Sequence, residues 1–164
     1  MLGRRRQSIS LAVLGAAVSI WSTAAVADPA PTADAYARAV DRICAHSLLF
    51  ERTHQIGTRA GALAVAADIR STARRRLARV AALPTPSSEA RAVARWLALE
   101  QRLADAYASA YVRIFDLVAA PWTPEQSARA PRRLWLLVHA PDRLRRAASR
   151  LGQQLGLPDC VGAR

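Results

Sequence analysis

Lysine and asparagine are absent from this 164-residue chain. Without lysine there is no Walker A loop, no Schiff-base amine and no pyridoxal anchor. Also missing are a Cys-x-x-Cys pair, a haem-attachment motif, a His-Glu-x-x-His helix and a Gly-x-Ser-x-Gly elbow. No cofactor and no catalytic residue is therefore expected. Cysteine is scarce, with only Cys44 and Cys160. Beyond residue 27 no run is long and apolar enough to span a bilayer.

What the chain does have is arginine and alanine. All 24 basic residues are Arg; against 12 acids they leave a formal charge of +12. Such a composition also follows from a GC-rich genome, yet the charge acts physically whatever its origin. It favours anionic partners such as acidic lipids, wall polymers or nucleic acid.

The first 27 residues read as an export signal. Arg4, Arg5 and Arg6 form a cationic start, Ile9 to Val26 is apolar and soft, and Ala25-Val26-Ala27 has the small-x-small form that signal peptidase needs. Asp28-Pro29 then opens a polar leader, residues 28–32, ahead of a single domain over 33–164. An uncleaved membrane anchor is the alternative, and the arginines leave a twin-arginine route open. Cleavage would remove three arginines and no acid, taking +12 to +9. An exported protein rarely meets nucleic acid, so that partner ranks last.

Two cysteines in an exported chain point to one disulfide, Cys44–Cys160; two free thiols or a bridge between copies are the alternatives. Closing a loop from residue 44 to residue 160 is worth about 5 kcal/mol in chain-entropy models, less any strain.

Helical spacing dominates the rest. Tyr36, Val40, Ile43, Ser47, Phe50 and His54 recur at steps of four and three, predicting a first helix from Thr32 to about Gln55. Leu63, Ala66, Ile69, Ala73, Leu77, Val80 and Leu83 predict a second over about Thr58 to Leu83. Arg70, Arg74, Arg75, Arg76 and Arg79 crowd its other faces. Thr85-Pro86 reads as a cap and first residue for the third, which runs to Ala120 on Val93, Trp96, Leu103, Tyr107, Ala110, Ile114 and Leu117, with Glu100 interrupting. Thr123-Pro124-Glu125-Gln126 is a capping box that starts the fourth. Pro131 and Pro141 should each kink or restart it, and Leu144, Ala148, Leu151 and Leu155 resume the spacing before Gly156-Leu157-Pro158. Short turns between four such helices predict an all-α, up-down-up-down four-helix bundle with a kinked or split last helix. Cys44 then lies about 16 Å into the first helix, within near reach of a tail folding back after Gly156.

Few residues invite chemistry. Glu51 and His54 have the Glu-x-x-His spacing of di-iron bundles, but no second pair exists, so no metal site is expected. His46 and His139 read as surface or interface residues. Asp105 and Asp116 share a face of the third helix, about 16 Å apart and too far for a glycosidase pair. With Arg102 and Arg113 nearby they read as solvated ion pairs. Exported helical chorismate mutases are the enzyme comparison, but the lysine their site needs is missing.

The most suggestive stretch is Arg132 to Arg150. Leu134 to Val138 is apolar on every side and is flanked by Arg132, Arg133, Arg143, Arg145, Arg146 and Arg150. Either these residues fill the bundle, or Trp135 and Leu136 form an apolar patch in a basic frame.

Tyr36-x3-Val40-x2-Ile43-Cys44-Ala45, Leu83-Pro84-x-Pro86 and Leu155-Gly156-Leu157-Pro158-x-Cys160 together resemble small exported helical proteins of GC-rich actinobacteria. That resemblance implies the helical fold and an end-to-end cysteine pair, and brings no activity. The expected function is a non-enzymatic binding or structural module of the cell envelope, secreted, with anionic envelope components as partners. Another exported protein docking on the Leu134–Val138 patch is the alternative partner.

Overall fold

A computed structural model describes residues 31–45 and 57–157. Its elements are α1 (Ala33–Ala45), α2 (Arg59–Ala81), α3 (Ala90–Ala119), α4 (Pro124–His139) and α5 (Asp142–Gln154). Together they make a four-helix bundle whose last helix is broken into α4 and α5. The remainder of the first predicted helix, with Ser47, Phe50, Glu51 and His54, lies outside the described residues, as do His46 and the signal and leader up to residue 30.

Helix α3, 30 residues and about 45 Å long, is the spine. Helix α2 runs antiparallel along it. Arg59 pairs with Asp116 at 2.9 Å, Arg70 with Asp105 at 3.5 Å, and Arg70 also donates to Ser109 at 3.2 Å. As one number falls the other rises, which fixes the direction. Between these polar rungs the seam is small: Ala62, Val65, Ala66 and Ala73 on α2, and Ala104, Ala108 and Ala110 on α3, are all buried. Small side chains let backbones approach but bury little area each. Leu63, expected in this seam, is exposed; Ala62 and Val65 take the inward positions instead.

The larger apolar residues gather at one end. Tyr36, Val40 and Cys44 of α1 join Val80 of α2, Val93 and Trp96 of α3, and Leu157 after α5 in one buried cluster. The length of α1, the α2–α3 turn and the end of α5 therefore meet. The expected Cys44–Cys160 clasp is corrected to what the described residues hold. Cys44 is the only cysteine among the described residues, which contain no Sγ–Sγ pair, and Cys160 lies outside them. Among the described residues, Leu157 brings the end of α5 into the same buried apolar cluster as α1.

Caps explain most boundaries. Thr32 accepts from Ala35 N at 3.2 Å and Thr58 from Gly61 N at 3.0 Å. The capping box is complete: Gln126 N donates to Thr123 Oγ1 at 3.3 Å, and Thr123 N donates to Gln126 Oε1 at 3.0 Å. Thr85 does not cap α3. Its hydroxyl donates to Leu83 O at 3.4 Å, residues 87–89 form a turn, and the helix begins at Ala90. The two interior prolines differ. The helix continues through Pro131, whereas at Pro141 the chain restarts, with Arg145 N donating to Pro141 O at 2.9 Å. Pro141 is fully buried, so the break is anchored by packing.

Helix α5 ends in a Schellman motif. Leu157 N donates to Gly152 O at 2.7 Å and Gly156 N to Gln153 O at 3.1 Å, with Gly156 at φ 64°. Space is tight at Gly152: a Cβ there would lie 3.0 Å from Trp96 Nε1 and 3.1 Å from Leu157 O.

Candidate interaction surface on α4

Helices α2, α4 and α5 all contact α3, while α1 contacts α2. Helix α5 packs near Arg95 and Leu99 at the start of α3, and α4 near Leu117 at its end. Nothing among the described residues covers the far side of α4. Its one buried residue is Ala130, and Leu137 is half-buried. Trp135 is 60 % exposed, Leu136 54 % and Val138 50 %; Leu134 is exposed as well. Of the two sequence alternatives for this stretch, the exposed one is observed. Trp122 in the preceding turn and Val118 near the end of α3 are exposed as well.

Helical spacing sorts these residues. Arg132, Trp135 and His139, at i, i+3 and i+7, form one row, and the rings of Trp135 and His139 lie 4.6 Å apart, tilted by 47°. Leu134 and Val138 form a second row. Arg133 and Leu137 form a third, toward α3. Arg132, Arg133, Arg143, Arg145 and Arg146 are all exposed. Arg145 is tied at 3.2 Å to Asp142, which also bonds His139 Nδ1 at 2.8 Å. The His139 hydrogen bond, helped by the charge of Arg145, holds the Asp142 carboxyl below its ordinary range against a smaller opposing effect of burial.

The other candidates have structural partners. Asp105 accepts from Gln101 Nε2 at 3.3 Å and pairs with Arg70, while Asp116 pairs with Arg59. Their counterions come from α2, not from Arg102 or Arg113 on their own helix. Among the described residues no group of three or more His, Cys, Asp or Glu is placed to hold a metal ion. No described helix is long and apolar enough to cross a membrane.

One pair escaped the sequence reading. Glu100 is fully buried and Arg76 is 9 % exposed. Burial lowers the Arg76 pKa, and the nearby Glu100 charge opposes that shift. Each had been assigned alone, one as an interruption of a seam and one as part of a crowded arginine face. Their spacing was the available signal: Arg76 lies three after Ala73 and four before Val80, and Glu100 four after Trp96. In the apolar cluster, burial raises the Tyr36 pKa, an effect reinforced by the charge of Glu89.

Comparison with known proteins finds no matching family model, no matching curated protein and no matching solved structure. The resemblance to exported actinobacterial helical proteins is therefore corrected. It leaned on a cysteine pair that the described residues do not contain, and what stands is a small all-helical chain.

Proposed function

We propose that this chain is a non-enzymatic interaction module of the cell envelope that docks on acidic membrane surfaces through α4. The observation that carries the reading is the exposed ridge of Trp135, with Leu134, Leu136 and Val138 beside it, inside a frame of exposed arginines. Tryptophan favours the boundary between headgroups and acyl chains. Arginine lays its apolar stem along that boundary and keeps its charge among anionic headgroups. The envelope location rests on the export signal read in residues 1–27.

The test is co-sedimentation with vesicles of acidic phospholipid or of phosphatidylcholine, at low and high salt. Binding to acidic vesicles that weakens with salt, and that Trp135→Ala reduces at least tenfold without shifting the melting temperature, is the expected result. No binding, or binding indifferent to lipid charge, would refute it. Capture of a defined exported protein that depends on Trp135, with vesicles ignored, would assign the face to a protein partner instead.

A further inference from the structure

We propose that the groove between α3 and α4 is a binding site for one single-chain anionic amphiphile, a long-chain carboxylate. The groove is open to solvent along one side and offers about 500 Å³. That lies within the range of pockets that hold small organic molecules. Its floor and walls are Leu117, Ala120, Leu136 and Leu137, and Arg113 and Arg133 line it from opposite helices. From Arg113 to Ala120 it follows α3 for about 10 Å, which suits an extended chain better than a compact anion.

The charges point to the sign of the ligand. Asp116, the only acid in the lining, is already held by Arg59 at 2.9 Å. Arg113 and Arg133 take no part in any ion pair or hydrogen bond found among the described residues. Two like charges beside one apolar groove repel, and a carboxylate placed between them removes that repulsion. A guanidinium also matches a carboxylate in a two-bond fork. The apolar walls then take the hydrocarbon. A free small anion would leave them wet, and a neutral or cationic chain would leave the arginines uncompensated. This site goes beyond the membrane-docking reading: it shares Leu136 and Arg133 with that face but not Trp135, which lies in another row of α4.

The experiment is calorimetric titration of the purified chain with sodium dodecanoate below its micelle-forming concentration. Dodecanol, dodecyltrimethylammonium and acetate serve as controls. One saturable site for dodecanoate is expected, at least tenfold weaker binding of dodecanol, and none of the cation or of acetate. Arg113→Ala with Arg133→Ala should weaken dodecanoate at least tenfold. Ala120→Trp, at an exposed position closing α3, should abolish binding by filling the groove while the melting temperature stays unchanged. It should leave vesicle binding intact, and Trp135→Ala should leave dodecanoate binding intact. No saturable heat, equal affinity for the cation, or a dissociation constant indifferent to both variants would overturn the site.

Discussion

Removing one partner of the Arg76–Glu100 pair tests what the middle of the bundle depends on. Glu100 is completely buried and Arg76 nearly so, and the two attract across the α2–α3 seam. Glu100→Leu leaves a guanidinium in the core without that carboxylate. Breaking a buried pair from one side costs about 3–5 kcal/mol. At about 2–4 °C per kcal/mol for a chain of this size, the melting temperature should fall by roughly 6–20 °C. Arg76→Met should cost a similar amount. The double variant, with both charges gone and similar volume kept, should recover most of the loss, because neither ion then has to be desolvated. Urea denaturation of the parent, both single variants and the double variant gives the coupling energy directly, expected at about 2 kcal/mol or more. If the two single losses add in the double variant to within about 0.5 kcal/mol, the charges do not support each other and the argument fails.

The remaining predictions concern α5 and its junction. Gly152→Ala should lower the unfolding free energy measured in urea by about 1–2 kcal/mol despite alanine's better helix propensity, because its methyl meets Trp96 Nε1 at 3.0 Å and the carbonyl of Leu157 at 3.1 Å; an unchanged or higher free energy would show that the contact is slack. Gly156→Ala should cost about 1 kcal/mol, since φ is 64° there and space is open; the measured loss then reports backbone strain alone. The Asp142 carboxyl has a lowered pKa in the folded chain, so its stabilisation is complete above the unfolded carboxylate range and disappears as pH falls through the lowered value. Asp142→Asn should therefore flatten the acid limb of melting temperature against pH below about 4 and leave the neutral limb shallow, as in the parent; an acid limb identical to the parent's would refute that linkage.

Helix positions were legible wherever local chemistry decides them. Thr32, Thr58 and the Thr123–Gln126 box cap helices through atoms three residues away, so their effect does not wait for the rest of the fold. Gly156 likewise stops α5 through its own backbone freedom. Thr85 was misread because Pro86 packs inside and the helix starts only after another turn, a choice made by burial rather than by spacing. Pro131 and Pro141 look alike in the sequence. Only the second is buried at the junction, and only there does the helix restart.

By itself, then, the amino-acid order determined the helical character of the described residues, the locally capped starts at Thr32, Thr58 and Thr123, the stop at Gly156, and a basic surplus, since periodicity, capping and charge are properties of neighbouring residues. Tertiary structure alone decided that Leu134, Trp135, Leu136 and Val138 face outward, that Arg76 and Glu100 are buried within each other's electrostatic reach, that Asp105 and Asp116 are neutralised from α2, and that Leu157 joins the buried cluster of α1. An apolar residue carries the same pattern whether or not another helix arrives to cover it, and a lone charge in a seam is tolerable only if an opposite charge comes from residues far along the chain. Such meetings depend on how whole helices stack, which no local spacing contains.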